Sequence, residues 1–401
     1  MTFVIAVAAL VLLVAGFHLL AGWVYASGFR DTALIPQPPT RDFNVWVRSI
    51  ARDRVILATQ EPTQAVGHPG TLGLYWSNGY GQVGDVRHVE GFEVTRDFRL
   101  IEGDTPPVCH QLLTDCEPVD IESYAFPNDP GDVDLDFEEA QYTTPLGPVS
   151  TWIVPAREAK TWAIHVHGWT AHRRESIRLL PTINKAGMTS LVIDYRNDPG
   201  APIDPTGRYR FGLSEWEDVD AAAQFAIDNG AKDILLVGYS TGAAHIMSFL
   251  ERSELKNRVR ATVFDAPNII LAETIRHGSR GLKLGPTPIR LTQLMTEFGM
   301  WLVDVRWKID WDTTNYVQRS QSILTMPTLV FHGTSDQRVP ISISRQLEAR
   351  CPETVTLLEA QAAGHVMSWN ANPAKYEESL SRFLARTAPP RPPSGNQPQR
   401  Q

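Results

Sequence analysis

A serine stands at the centre of a Gly-x-Ser-x-Gly stretch, residues 238–242, near the middle of the chain. Residues 233–237 before it are typical of a buried strand, and residues 243–250 after it favour a helix. A tight turn between strand and helix needs small residues two positions before and after the serine. Such a turn holds the hydroxyl clear of the backbone, at a helix N-terminus where amide dipoles favour negative charge. Ser240 is therefore a candidate nucleophile.

Candidates for a base and an acid follow the serine. A hydroxyl becomes a nucleophile only when a base takes its proton, and that base needs an acid to hold its tautomer. A strand is predicted at 327–333, and Asp336 lies on the loop that leaves it. Another short strand is predicted at 355–360, and His365 lies just beyond it on a loop that contains glycine. Asp265, at the end of the strand that follows the predicted helix, is an alternative acid.

From about residue 137 to 386 the chain resembles the α/β-hydrolase superfamily, in which serine, acid and histidine follow in this order. The nearest resemblance is to serine esterases, lysophospholipase-like hydrolases and the related peptidase branch. The matching stretches are His-Val-His-Gly-Trp at 165–169, Asp-Tyr-Arg at 194–196, the turn at 238–242, the loop around Asp336, and Gly-His at 364–365.

The resemblance implies roles for individual residues. Ser240 would be the nucleophile, Asp336 the acid and His365 the base; Asp265 is the alternative acid, because some members place the acid there. The oxyanion hole would consist of two backbone N–H groups, those of Thr241 and Trp169, and the Trp169 indole would help to form the wall of an acyl pocket. No metal ion and no organic cofactor is expected.

Two other clusters resemble metal sites only in part. The histidines at 165, 167 and 172 lack the aspartate and the further histidine of a metallo-β-lactamase pattern, so we interpret them as structural. The alternating acidic residues at 132–138 lack the glycine and the glutamate of an EF-hand loop, so we expect a solvated strand edge there.

Length, composition and charge limit the domain organisation and the classes of partner. The 401 residues and 43% hydrophobic content suit one large domain with extensions. A net charge of −8 and the lack of Lys/Arg clusters argue against nucleic acid as a partner.

The N-terminus predicts a membrane segment. Residues 2–27 contain no Asp, Glu, Lys or Arg, and the apolar stretch 3–25 exceeds the roughly 20 residues that span a bilayer core. A cleaved signal peptide is the alternative, although the usual cationic start is missing. We favour a retained single-pass anchor with Trp23 and Tyr25 at the interface.

The side of the membrane stays open. Arg30 and Arg41 follow the segment and favour a cytosolic catalytic domain. Cys109 and Cys116 favour the opposite side if they form a disulfide.

The sequence predicts an α/β fold, with a mostly parallel sheet, helices on both faces, a helical cap and an N-terminal transmembrane helix. In the cap, tryptophans at 301, 307 and 311 are expected to form an apolar roof over the site. The predicted division is an anchor (1–27), a β-rich extension with an acidic connector (28–136), the hydrolase core in two parts (137–266 and 327–387), the helical cap between them (267–326) and a disordered Pro-rich tail (388–401).

The chemistry predicted is hydrolysis of a carboxylic ester with an apolar acyl group, through an acyl-serine intermediate. A serine peptidase or a thioesterase would use the same three residues. A catalytically silent, membrane-anchored binding protein is the alternative from another class. The sequence leaves the substrate and the oligomeric state open.

Overall fold

The computed structural model of the protein describes residues 1–37, 41, 43–59, 64–109, 116–284 and 287–387. The predicted disordered tail at 388–401 lies outside the described residues. The chain begins with α1 (Thr2–Phe29), which continues as a π-helical turn to Leu34. By length and composition, the helical stretch from Phe3 to Leu34 could cross a membrane; a signal sequence or a buried core helix would pass the same test.

A six-stranded antiparallel sheet follows, in the order β1-β2-β5-β4-β3-β6. Its elements are β1 (Val45–Ile50), β2 (Arg54–Thr59), the short helix α2 (Gln64–Gly67), β3 (Leu72–Trp76), β4 (Gly79–Glu90), β5 (Glu93–Gly103) and β6 (Asp120–Glu122). The β-rich character predicted for the N-terminal extension is seen in these strands, and β4 and β5 are joined by a tight turn at residues 91–92. Gly91 has a φ of +58°, a backbone conformation that ends a strand.

One arginine organises the interior of this small sheet. Arg96 is completely buried, and its guanidinium donates to the carbonyl oxygens of Val66, His68, Gly70 and Gly84. The apolar core of the sheet includes Val66 and extends to two residues near the C-terminus of the chain, Ala363 and Met367. The small sheet therefore packs against the loop that carries His365. A disulfide joins Cys109 and Cys116 beside it.

The second sheet has eight strands in the order β14-β13-β12-β11-β9-β10-β8-β7. They are β7 (Glu138–Thr144), β8 (Gly147–Val154), β9 (Thr161–Val166), β10 (Thr189–Ile193), β11 (Asp233–Tyr239), β12 (Val259–Asp265), β13 (Thr328–Gly333) and β14 (Val355–Ala360). β7 and β8 form an antiparallel hairpin, and all strands from β9 to β14 run parallel.

Helices cover both faces of this sheet, so the predicted fold class is confirmed. The helices that follow β9 in the chain are α3 (Leu180–Lys185), α4 (Trp216–Asp228), α5 (Thr241–Arg252), α6 (Leu271–Ser279), α7 (Gln293–Trp307), α8 (Ser320–Ile323), α9 (Ser342–Arg350), α10 (Ser368–Ala371) and α11 (Pro373–Thr387). Residues of α4, α5 and α9 share one apolar core, and residues of α3 and α11 share another. The central strands are buried throughout, as expected for parallel strands covered twice.

The acidic residues at 132–138 do not form a strand edge, so that expectation is wrong for most of them. Residues 130–133 form a 3-10 turn after Asp129, whose side chain accepts from the N–H of Gly131. Asp134 closes the turn in the left-handed region, with a φ of +56°. Only Glu138 lies in a strand, at the start of β7. Pro130 at the start of the turn favours this local structure over an extended chain.

The cap region between β12 and β13 contains α6, α7 and α8, and α7 packs along the end of α1. Each helix has a glycine at the contact. Gly22 of α1 makes room for Phe298, and Gly299 of α7 makes room for Tyr25. The tryptophan roof is only partly correct. Trp307 is buried and Trp311 half-buried, but Trp301 is 55% exposed.

Candidate active site

Ser240 lies in a strained turn between β11 and α5, with φ of 50° and ψ of −116°. A Cβ added at Gly238 would lie 2.9 Å from the backbone N and Cα of Ala243, and one at Gly242 would overlap the carbonyl oxygen of Val166. Both neighbours must therefore be glycine, as the sequence pattern predicts. A non-glycine residue in this conformation costs on the order of 1–3 kcal/mol, and such strain is common at functional sites.

Three side chains form a hydrogen-bonded line that begins at Ser240. The Oγ of Ser240 lies 2.8 Å from Nε2 of His365, and Nδ1 of His365 lies 2.7 Å from Oδ2 of Asp336. These are the three residues predicted from the sequence, and the structure brings them together. The line has the geometry in which a base can take a proton from a hydroxyl while an acid orients the base.

Asp336 is held as an anion at the end of this line. Its Oδ1 accepts from the backbone N–H groups of Arg338 and Val339, and His332 lies 3.3 Å from its Oδ2. Burial by itself raises the pKa of Asp336, but hydrogen bonds from His332 and His365 outweigh burial and hold the pKa well below its usual range. The carboxylate therefore stays charged at neutral pH.

The alternative acid, Asp265, points elsewhere. Its carboxylate accepts from the hydroxyl of Ser368 at 3.0 Å, and its backbone carbonyl accepts from the N–H of Ser240. Burial raises the pKa of Asp265 to about 6. The described contacts of Asp265 thus support the turn, whereas His365 is paired with Asp336.

The two predicted oxyanion donors flank Ser240. Thr241 is the first residue of α5, and the first N–H groups of a helix have no acceptor within it. Trp169 follows Gly168, where an added Cβ would lie 3.1 Å from Ser240 Cβ. Trp169 packs edge-on against Tyr209, and its indole Nε1 is buried without a hydrogen-bond partner among the described residues.

The peptide group between Gly168 and Trp169 carries the Trp169 N–H, and hydrogen bonds to its carbonyl oxygen hold it in place. The carbonyl oxygen of Gly168 belongs to that same peptide unit and accepts from His167 Nδ1 at 2.9 Å, Tyr195 Oη at 3.0 Å and the N–H of Ala171. The Gly168 N–H donates to the buried carboxylate of Glu175. Four hydrogen bonds therefore hold this loop beside Ser240.

A buried cluster next to the loop could in principle hold a metal ion. Ligand atoms of His167, Asp194 and Asp198 lie within 4.8 Å of one another. Burial by itself lowers the pKa of His167, but the Asp198 carboxylate 2.9 Å away outweighs burial and raises the pKa to about 9. His167 is then protonated and donates through both ring nitrogens. Both ring nitrogens therefore have partners, Nδ1 the Gly168 carbonyl oxygen and Nε2 the Asp198 carboxylate, which is the arrangement of a His–Asp ion pair.

Several residues that support the site had no signal in the sequence. Asn370 donates to the carbonyl oxygens of Thr71 and Ser123, and it accepts from Arg178. His68 packs over Gly364, where an added Cβ would lie 2.8 Å from His68 Cε1. These residues join the small sheet to the loop that carries His365. Their partners are so distant in sequence that no local pattern could have identified them.

The comparison with protein families matches this architecture. Residues 163–378 match the model of the alpha/beta hydrolase family, which is more than half of the chain. The chain therefore belongs to the alpha/beta hydrolase family. The match includes Ser240, Asp336 and His365, and it begins within β9.

Solved structures show the same fold at low sequence identity. A crystal form of an esterase from Pyrococcus furiosus is 20% identical, with a TM-score of 0.51 over 65% of this chain and 95% of that chain. A second crystal form is 22% identical, with a TM-score of 0.51 over 65% of this chain and 97% of that chain. No curated protein matches the chain.

Proposed function

We propose that the protein is a membrane-anchored serine hydrolase that cleaves carboxylic esters through an acyl intermediate on Ser240. The observation that carries the proposal is the hydrogen-bonded line from Ser240 Oγ through His365 to Asp336. The alpha/beta hydrolase family supports hydrolytic chemistry, and the structurally similar Pyrococcus furiosus protein is named an esterase.

In the first step, the Oγ of Ser240 attacks the ester carbonyl carbon while its proton passes to Nε2 of His365. The charged carboxylate of Asp336 stabilises the imidazolium that forms. Negative charge develops on the carbonyl oxygen, where the N–H groups of Thr241 and Trp169 would bind it. The bond to the alcohol oxygen then breaks, and His365 gives its proton to the departing alkoxide.

The second step removes the acyl group by the same route. A water molecule gives a proton to His365 and attacks the acyl carbon of the Ser240 ester. The bond from the acyl carbon to Ser240 Oγ breaks, and the proton on His365 returns to Oγ. The products are an alcohol from the first step and a carboxylic acid from the second, so atoms and charge balance.

An apolar acyl group suits the surroundings of Trp169. The indole contacts an apolar cluster that includes Phe211, Leu271 and Trp307. The residues of the cluster are themselves buried, but Trp169 is only half-buried, and an acyl chain packed on its open part gains roughly 0.8 kcal/mol for each methylene group that it buries. We therefore propose acyl esters with apolar chains as the substrate class.

Retention of α1 is supported by its packing. Ala21 and Ala26 are buried against the cap, at 0% and 2% exposure. Cleavage near residue 26 would remove these contacts, whereas a signal peptide normally leaves the mature domain intact. We propose that α1 is a retained anchor, and that the chain divides into the anchor, β-rich extension, two-part core and cap predicted from the sequence.

The enzymatic proposal is tested with p-nitrophenyl esters of increasing acyl length, comparing the wild type with Ser240→Ala. We expect the variant to fold normally and to lose a factor on the order of 10⁴ or more in kcat. Wild-type kcat/KM should rise with chain length and should be far lower for the matching p-nitroanilides.

Ser248→Ala is the matched control. This buried serine lies on α5, the helix that begins directly after Ser240, and it is away from the line of three residues. If Ser240→Ala retained most of the esterase activity, the nucleophile would be wrong. Faster cleavage of the anilides would indicate a peptidase.

A further inference from the structure

The end of α1 and the cap helix α7 run side by side in the same direction. Gly22 lies against Phe298, Tyr25 lies against Gly299, and the Arg30 guanidinium lies over the ring of Trp307. Residue numbers rise together on both helices, so the packing is parallel. The N-terminal end of α7 therefore points toward the apolar part of α1.

This register fixes the depth of α7 relative to a bilayer. Trp23, 59% exposed, marks the membrane–water interface, because tryptophan is enriched at that level. The roughly 20 residues that precede it would cross the hydrocarbon core. Met295 and Phe298 lie at the level of Gly22. Leu294 precedes Met295 on α7 and therefore lies at the lipid side of that level, and the paired segments around Leu282 and Ile289 join α7 at this end.

The cap exposes apolar side chains at this end. We call them the cap stripe; they are Leu282, Ile289, Leu294 and Trp301, with exposures of 48%, 40%, 70% and 55%. Leu294 and Trp301 are seven residues apart and share one face of α7, and Phe298 on that face stacks on Trp301. Leu282 and Ile289 lie on two short paired segments just before α7, joined by hydrogen bonds from Leu284 N–H and Leu291 N–H.

Charge around the cap stripe is positive, unlike the rest of the chain. The protein as a whole carries a net charge of −8. Between Glu273 and Glu297, however, the only charged residues are Arg276, Arg280, Lys283 and Arg290. The last three are exposed next to the stripe. Apolar side chains flanked by cations are the pattern that binds the interface of an anionic bilayer.

We propose that the cap stripe is a second membrane contact, which lies in the bilayer interface next to α1. The inference rests on the proposed function in one respect, namely that α1 spans the membrane. A single helix leaves a domain free to rotate and tilt, whereas two adjoining contacts fix one orientation. The cap, and with it the site around Trp169, is then held at the bilayer surface, where an ester with an apolar chain resides.

The test uses the full-length protein in vesicles of phosphatidylcholine and phosphatidylglycerol, labelled at single introduced cysteines with a polarity-sensitive fluorophore. Native cysteines do not interfere, because Cys109 and Cys116 are joined and Cys351 is buried. Leu294→Cys and Ile289→Cys probe the stripe. Val305→Cys is the matched control, since it is 49% exposed on the same face of α7, about 16 Å farther from the bilayer.

We expect labels at 289 and 294 to be quenched by nitroxide-bearing lipids and to be several-fold less sensitive to aqueous iodide than the label at 305. Equal iodide quenching at 294 and 305 would overturn the proposal. A carbonate wash of the same vesicles distinguishes failure of the cap contact from failure of the α1 anchor. Retention with equal quenching rejects the cap contact alone, whereas release rejects the anchor and the cap contact together. Hydrolysis of a soluble p-nitrophenyl ester reports independently on the chemistry at Ser240.

Discussion

The turn that carries Ser240 and the loop that carries His365 are held in different ways. The turn is fixed by close approaches of Gly238 and Gly242 to their own helix and to the adjacent strand β9. The loop is fixed by Asn370, which bonds to carbonyl oxygens 299 and 247 residues away. It is also covered by His68 from the small sheet. The first arrangement is steric and stays within the large sheet and α5, whereas the second is hydrogen-bonded and reaches residues beside the small sheet.

The difference teaches which part of the site depends on the N-terminal region. The Ser240 turn requires only the large sheet and α5. The His365 loop requires the small sheet as well, because the apolar core of that sheet includes Ala363 and Met367. We infer that damage to the small sheet affects the base before it affects the nucleophile.

The largest effect is expected from Asp336→Asn, which changes the acid that pairs with His365 on the loop. An amide cannot stabilise the imidazolium or hold the correct tautomer of His365, so kcat should fall by a factor on the order of 10⁴. Asp265→Asn is the matched control, and it should chiefly lower stability, because Asp265 bonds to Ser368. Steady-state kinetics of both variants decide between the two acids. A larger loss of kcat at Asp265 would reverse the assignment.

On the turn side, Gly242→Ala should destabilise the protein by about 3 kcal/mol, because the new methyl group overlaps the carbonyl oxygen of Val166. The control is Gly67→Ala, where an added Cβ meets no atom within 4 Å. The free energy of unfolding, measured in urea, should separate the two variants clearly. If Gly242→Ala unfolded like the wild type, steric fixation of the turn would be excluded.

The loop beside the Ser240 turn is stabilised by His167, and this stabilisation should depend on pH. Its folded pKa of about 9 exceeds the ordinary value of 6.5, so the stabilisation is fully present below pH 6.5 and is lost as pH rises through about 9. The shift corresponds to on the order of 3 kcal/mol. The stability advantage of the wild type over His167→Asn should therefore be smaller at about pH 10 than at about pH 6. An advantage independent of pH would mean that His167 is neutral.

The smallest effect, on the loop side, is expected for Asn370→Ala. The variant loses hydrogen bonds to Thr71 and Ser123 and removes one of the three acceptors of Arg178 Nη1, at a cost of about 2 kcal/mol. Displacement of His365 should lower kcat by roughly tenfold and leave KM nearly unchanged. The control is Asn229→Ala, whose exposed amide donates to the Phe225 carbonyl oxygen at its own helix end. A change in KM alone would contradict the proposed support of His365.

The same contrast explains how much of the molecule could be predicted from the sequence. The strands β11 and β13 are continuous apolar runs followed by residues of distinctive chemistry, so Ser240 and Asp336 could be located in the fold. Nothing local marks Asn370 or His68 as part of the site, because their partners are brought together only by the packing of two sheets. Exposure of Trp301 could not be foreseen, since its helical spacing suits a buried face equally well.

The central claim is that Ser240 is the nucleophile that His365 and Asp336 activate. The most direct test is to treat the full-length protein with a fluorophosphonate and to identify the modified residue by peptide mass spectrometry. We expect one adduct per chain, on Ser240, with loss of esterase activity in proportion to labelling, and slow labelling of Asp336→Asn. An adduct on another residue, or full labelling with esterase activity retained, would contradict the account.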